Sequence, residues 1–190
     1  MRVVAFLAVT LLACNGESRG TGGTFVDSIG IAMRDPALWP TMSFVPTGTE
    51  IDSVPLPEID TTWSLATPLD VSMLPPHDSA SPLNLGDSTG FVFDGDFNGD
   101  DILDRVRVGV YRDTVGTEGS FLLVMTRADS TRWTRAFVAV EPGEPVFTML
   151  LREGNDVIWA ECGNCGRWRP LYWSDDHYEL GPPAEPQVEP

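Results

Sequence analysis

The run Asp94-Gly95-Asp96-Phe97-Asn98-Gly99-Asp100-Asp101-Ile102-Leu103-Asp104 places oxygen-bearing side chains at alternate positions of a glycine-containing turn. Ca²⁺, a hard cation, takes about six to eight oxygen ligands in loose geometry, and such spacing converges them on one point. Counting Asp96 as the first position, side-chain oxygens fall at the first, third, fifth and ninth as Asp96, Asn98, Asp100 and Asp104. The Ile102 carbonyl stands at the seventh. The carboxylates of Asp96, Asp100 and Asp104 on one dication are a sensible charge match. An EF-hand needs a bidentate Glu at the twelfth position, where this chain has Arg107. The loop is therefore expected to be a shorter type that feeds directly into a strand. An acidic turn without metal is the competing reading.

This run resembles the Gly-Asp-Phe-Asn-Gly-Asp-Gly-x-x-Asp calcium loop of FG-GAP and VCBS-type repeats, which Gly95, Asp96, Phe97, Asn98, Gly99, Asp100 and Asp104 match. The resemblance implies calcium bound in β-propeller blades. Asp101 stands where the family has a Gly for a positive-φ turn, a conformation that Asp tolerates better than most residues. A propeller needs several blades and the chain carries this loop once, so the expectation is a calcium site and not a propeller.

A second chemical signal lies at the start. Met1-Arg2 is followed by an apolar run from Val3 to Leu12, broken only by Thr10, which is the charged-then-apolar layout of a secretory signal. The run is too short to span a bilayer as a helix, which takes about 20 apolar residues. It ends in Leu11-Leu12-Ala13-Cys14 and a polar, glycine-rich continuation. This stretch resembles the lipobox of bacterial lipoproteins, on Leu11, Ala13 and Cys14. The resemblance implies cleavage before Cys14 and lipidation of its thiol, with multiple acyl chains holding the protein on an inner or outer membrane surface that faces periplasm or exterior. An ordinary signal peptide is the alternative.

Cys162 and Cys165 remain, in Cys162-Gly163-Asn164-Cys165-Gly166. In an oxidising compartment a disulfide clamping a hairpin loop is the leading expectation. A zinc knuckle would need four ligands, and only His77, His177 and carboxylates are left to supply them. A redox pair would want its first Cys at a helix N-terminus, and no helix is expected there. No Ser or Cys lies in a nucleophile-elbow setting. Asp175-Asp176 and Glu141/Glu144 read as solvated acidic turns before they read as an acid and base pair. Trp159, Trp168, Tyr172 and Trp173 read as core residues ahead of an aromatic platform.

The elements that must position these residues are strands. The chain of 190 residues carries a net charge of −16, and its twelve basic residues are all Arg. Such acidity disfavours nucleic acid as a partner, which needs a basic face. From residue 14 to 89 the chain is rich in Pro, Ser, Thr and Gly, and reads as an extended, lipid-anchored stalk with partial docking and no helix, because each Pro removes a donor and extends its predecessor. From 90 to 180, short β-branched and aromatic runs alternate with turn signals, over Phe91–Phe93, Arg105–Arg112, Ser120–Arg127, Arg132–Val140, Val146–Arg152, Val157–Cys162 and Arg167–Trp173. The expected fold is all-β, an antiparallel β-meander forming a small sandwich or barrel-like sheet. The tail 181–190 is Pro-rich and acidic. The expected function is a non-enzymatic binding or structural role in the cell envelope, with calcium as cofactor, the membrane as one partner and an envelope protein or surface ligand as another. The alternative is a CxxC-dependent redox or zinc-binding envelope protein.

Overall fold

A computed structural model describes residues 42–74, 88–162 and 165–183. The signal segment 1–13, Cys14, His77, residues 15–41 and 184–190 lie outside the described residues. The fold is an all-β antiparallel sandwich, not closed into a barrel. Its strands are β1 (Glu50–Ile51), β2 (Val54–Pro55), β3 (Trp63–Pro68), β4 (Thr89–Gly90), β5 (Val92–Gly95), β6 (Asp104–Asp113), β7 (Glu118–Arg127), β8 (Trp133–Pro142), β9 (Met149–Glu153), β10 (Asp156–Ala160), β11 (Trp168–Ser174) and β12 (His177–Leu180), with a one-turn helix α1 (Leu56–Ile59).

The first sheet runs β3-β6-β7-β8, and β5 pairs with the first half of β6 on the edge whose second half takes β3. The second runs β12-β11-β10-β9-β4. Alternation on β6 turns Val106, Val108 and Val110 to one face, and the register sets Val124 opposite Val106 and Leu122 opposite Val108. They meet Leu150, Val157, Trp159, Leu171 and Tyr178 of the second sheet in one buried cluster. Apolar side chains at alternate positions on facing sheets are what a sandwich core requires.

The other face of the first sheet is also buried, by residues from the segment 14 to 89 that the sequence reads as a stalk with partial docking. Ile51, Val54, Leu56 and Ile59 from β1, β2 and α1 cover Tyr111, Phe121, Leu123, Met125 and Trp133, joined by Trp63 and Ala66 of β3. The domain thus takes in residues well ahead of Gly90. The helix forms despite the prolines because Pro57 sits in its first turn, next to the Pro55 cap, where backbone N–H groups have no intrahelical partner to lose. β7 is buried on both faces from Gly119 to Met125, which is why its apolar run Phe121–Met125 does not alternate. A Cβ on Gly109 would come within 2.6 Å of the Phe121 ring and 2.4 Å of the Thr67 carbonyl, so β3 and the ring close over that glycine.

Candidate functional site

The acidic loop closes the β5–β6 hairpin, whose last pairs are Asp94 with Arg105 and Gly95 with Asp104. Asp96 accepts from the backbone N–H of Gly99 at 2.7 Å, Asp100 at 3.1 Å and Asp101 at 3.0 Å. Against an opposing desolvation effect, these bonds hold its carboxyl below the ordinary range. Asn98 donates from Nδ2 to Asp100 Oδ2 at 2.9 Å, and Asp100 Oδ1 accepts from Ile102 N–H at 2.8 Å. Gly99 and Asp101 have φ of +77° and +63°. The position where the resembling family carries Gly is therefore left-handed here too, and Asp occupies it.

Asp104 stands apart from this exposed set. It is fully buried; its Oδ1 accepts from the Thr126 hydroxyl at 2.6 Å, and its Oδ2 accepts from the Tyr178 hydroxyl and from Phe97 N–H at 3.3 Å. Thr126 lies on β7 and Tyr178 on β12, so this carboxylate ties the two sheets together. Burial, then the bond to Asp104, push the Tyr178 hydroxyl above its ordinary pKa. Among the described residues, no three His, Cys, Asp or Glu side chains gather as a metal-holding group. The loop thus brings Asp96, Asn98 and Asp100 together and leaves Asp104 inside. An ionised carboxylate has about four acceptor sites, and three of those on Asp104 are taken.

The Cys162 and Cys165 side chains lie at disulfide distance, with Cα atoms 5.6 Å apart, an ordinary spacing for such a bond. They lie in the connection between β10 and β11. His177 stands at the far end of β11, paired with Ser174, about 20 Å along the strand by the usual rise per residue, so it does not join the cysteines. Beside the pair is Glu161, which sequence reasoning did not single out. It is buried between Arg167 at 3.1 Å and Arg169 at 3.6 Å. Burial and then Glu141 raise its pKa against the opposing pull of Arg167 and Arg169. No motif marked it; only the folded context does.

The remaining candidates disperse. Asp175 and Asp176 form the β11–β12 turn at φ of +48° and +65°. Glu141 pairs with Arg167 at 2.6 Å, and Glu144 is exposed in the turn after β8. Trp159 is buried and donates from Nε1 to the Thr148 hydroxyl at 2.7 Å, and Trp168 packs against the core. Tyr172 and Trp173 are 50% and 40% exposed, but as successive strand residues they point to opposite faces, so the four do not form one platform. Among the described residues, no helix is long and apolar enough to cross a membrane. Compared with family models, curated proteins and solved structures, the chain matches none.

Proposed function

We propose that this chain is a lipid-anchored protein of the bacterial cell envelope with a non-enzymatic binding or structural role, and that its acidic loop takes calcium. The observation that carries the metal reading is the pair of left-handed residues, Gly99 and Asp101, on the turn that gathers Asp96, Asn98 and Asp100. The Ile102 carbonyl and the remaining acceptor site of Asp104 complete the proposed donor set. Calcium would supply the positive charge that these carboxylates otherwise lack. Binding to the folded state alone raises stability by mass action, so chelation should lower the melting temperature. Asp100→Ala should lower it in calcium buffer and abolish most of the calcium response, while Asp175→Ala should do neither. Magnesium should substitute poorly, since it demands tighter octahedral geometry. Identical melting curves in calcium and chelator, on metal-free protein, would reduce the loop to an acidic turn.

The anchor rests on the Leu11–Cys14 sequence. Cys14→Ser should yield protein that is neither acylated nor cleaved at that bond, because Ser offers no thioether; incorporation of radiolabelled fatty acid into that variant would refute it. The second reading, a redox or zinc-binding protein, draws on the Cys162–Cys165 pair beside buried Glu161. Thiol titration with and without reductant, together with metal analysis, separates the two readings.

A further inference from the structure

The connection from β10 to β11 is pinned by groups other than sulfur. The ladder ends at Ala160 opposite Trp168, and one step beyond it the Glu161 N–H donates to the Arg167 carbonyl at 3.2 Å. The buried Glu161 carboxylate meets Arg167 Nε at 3.1 Å and Arg169 Nη1 at 3.6 Å. Arg167 also reaches Glu141 of β8 at 2.6 Å, and Arg169 donates from Nε to the Gly181 carbonyl at 3.0 Å. The two ends of the loop are therefore held to each other and to their neighbours. Across the same loop, Cys162 and Cys165 stand three positions apart at disulfide distance.

A bond between them closes a very short ring, which removes little entropy from the unfolded chain. Coupling between two equilibria is reciprocal, so a bond that stabilises the fold little is itself protected little by the fold. Exposure points the same way, because exposed disulfides are the readily exchanged ones. The two sulfurs are not equivalent. Cys165 is exposed and Cys162 partly buried, and the Cys165 N–H donates to Cys162 Sγ at 2.9 Å. A donor aimed at sulfur favours thiolate over thiol. The neighbouring charges do not reverse this, because Glu161 and Glu141 are balanced by Arg167 and Arg169.

We propose that Cys162 and Cys165 form an exchangeable disulfide that takes a low-molecular-weight thiol on Cys165. The thiolate of that co-reactant attacks Cys165 Sγ. The Cys162–Cys165 bond breaks as the new S–S bond forms, and the electron pair leaves on Cys162 Sγ, where the Cys165 N–H meets the charge. A second thiolate then attacks the small-molecule sulfur of the mixed disulfide and releases Cys165 as thiolate. Two small thiols have become one disulfide, and their two electrons rest on the protein pair, whose thiolates take up the two protons. The proposal rests on the redox reading of the pair and is independent of calcium in the loop.

In the test, the full chain is first exposed to oxidised glutathione in chelator, and free thiols at Cys162 and Cys165 are counted by alkylation and mass spectrometry. Free thiols at both positions would overturn the redox reading and the proposal together. The oxidised chain is then mixed with reduced glutathione, quenched with N-ethylmaleimide at successive times and digested with trypsin, which leaves both cysteines on the peptide 153–167. Fragmentation should place glutathione on Cys165 and maleimide on Cys162, with the reverse adduct at least about tenfold rarer at the earliest times. A pair that stays closed to glutathione, or equal adducts on the two cysteines, would overturn the proposal and leave the disulfide standing. The cooperative urea transition should survive both reduction and the double substitution Cys162→Ser with Cys165→Ser; its loss would make the bond a structural one and sink the proposal as well. Of the single variants, Cys162→Ser should react with oxidised glutathione faster than Cys165→Ser, and the opposite order would count against Cys165 as the exchanging sulfur.

Discussion

Asp104→Ala should destabilise the domain by about 3–5 kcal/mol, because it leaves three donors without their acceptor at about 1–3 kcal/mol each where they are buried, out of a total that for domains of this kind is about 5–15 kcal/mol. The substitution strands the hydroxyls of Thr126 and Tyr178 and the N–H of Phe97, all of which bond to that carboxylate. Urea denaturation checks it, and the condition that matters is chelator. If the bridge between sheets is the main role of Asp104, most of the loss persists without calcium; a loss seen only in calcium would make Asp104 a ligand first. Tyr178→Phe should show a smaller loss and a distinct pH signature. The Tyr178 pKa is raised in the fold, so the unfolded chain ionises first, and the stabilisation present below about pH 10 is lost as pH rises beyond it. Tyr178→Phe should lose that part of the alkaline slope.

Phe121→Ala should cost about 3–5 kcal/mol by the ordinary range for emptying a buried aromatic site. Its ring is fully buried, 5.0 Å from the Trp63 ring, which in turn stacks on Tyr111 at 5.1 Å. Relaxation into the gap is limited because Gly109 and the Thr67 carbonyl belong to paired strands that cannot move independently. A change below about 1 kcal/mol in the same urea experiment would mean that the covering layer of β1, β2 and α1 is loosely held, against the packing described.

The legible parts of this fold were the long strands. Val106, Val108 and Val110 alternate with Arg105, Arg107 and Gly109, and Gly, Pro, Asn or Asp marks each turn between β6, β7, β8, β9 and β10, so pattern alone placed them. The short strands escaped for physical reasons. β1 and β2 hold two residues each, β3 ends in Pro68, and both tight hairpin turns use Asp52-Ser53 and Asp175-Asp176 in left-handed conformations normally signalled by Asn or Gly. The Pro-rich composition ahead of Gly90 likewise concealed Ile51, Val54, Leu56 and Ile59, four apolar residues too sparse to read as a core face. Of the candidate site, the turn at Gly99 and Asp101 was readable from residue types. The inward aim of Asp104 was not, because its partners Thr126 and Tyr178 lie far along the chain and are brought near only by the sandwich. The ion pairs of Asp52 with Arg105 and Arg107 are hidden for the same reason, since Asp52 lies far ahead of both in the chain.

The covering layer has a consequence for the order in which the chain folds. Ile51, Val54, Leu56 and Ile59 are made first, yet the surface they bury against is completed only when Met125 and Trp133 have been synthesised. Strand β3 must likewise wait for β6, whose Asp113 lies opposite Trp63. Contacts so distant in sequence form after local ones, since the loop must close before the contact contributes. The β6–β7–β8 meander is therefore the natural nucleus, and the N-terminal hairpin with its helix is a late-arriving lid on it.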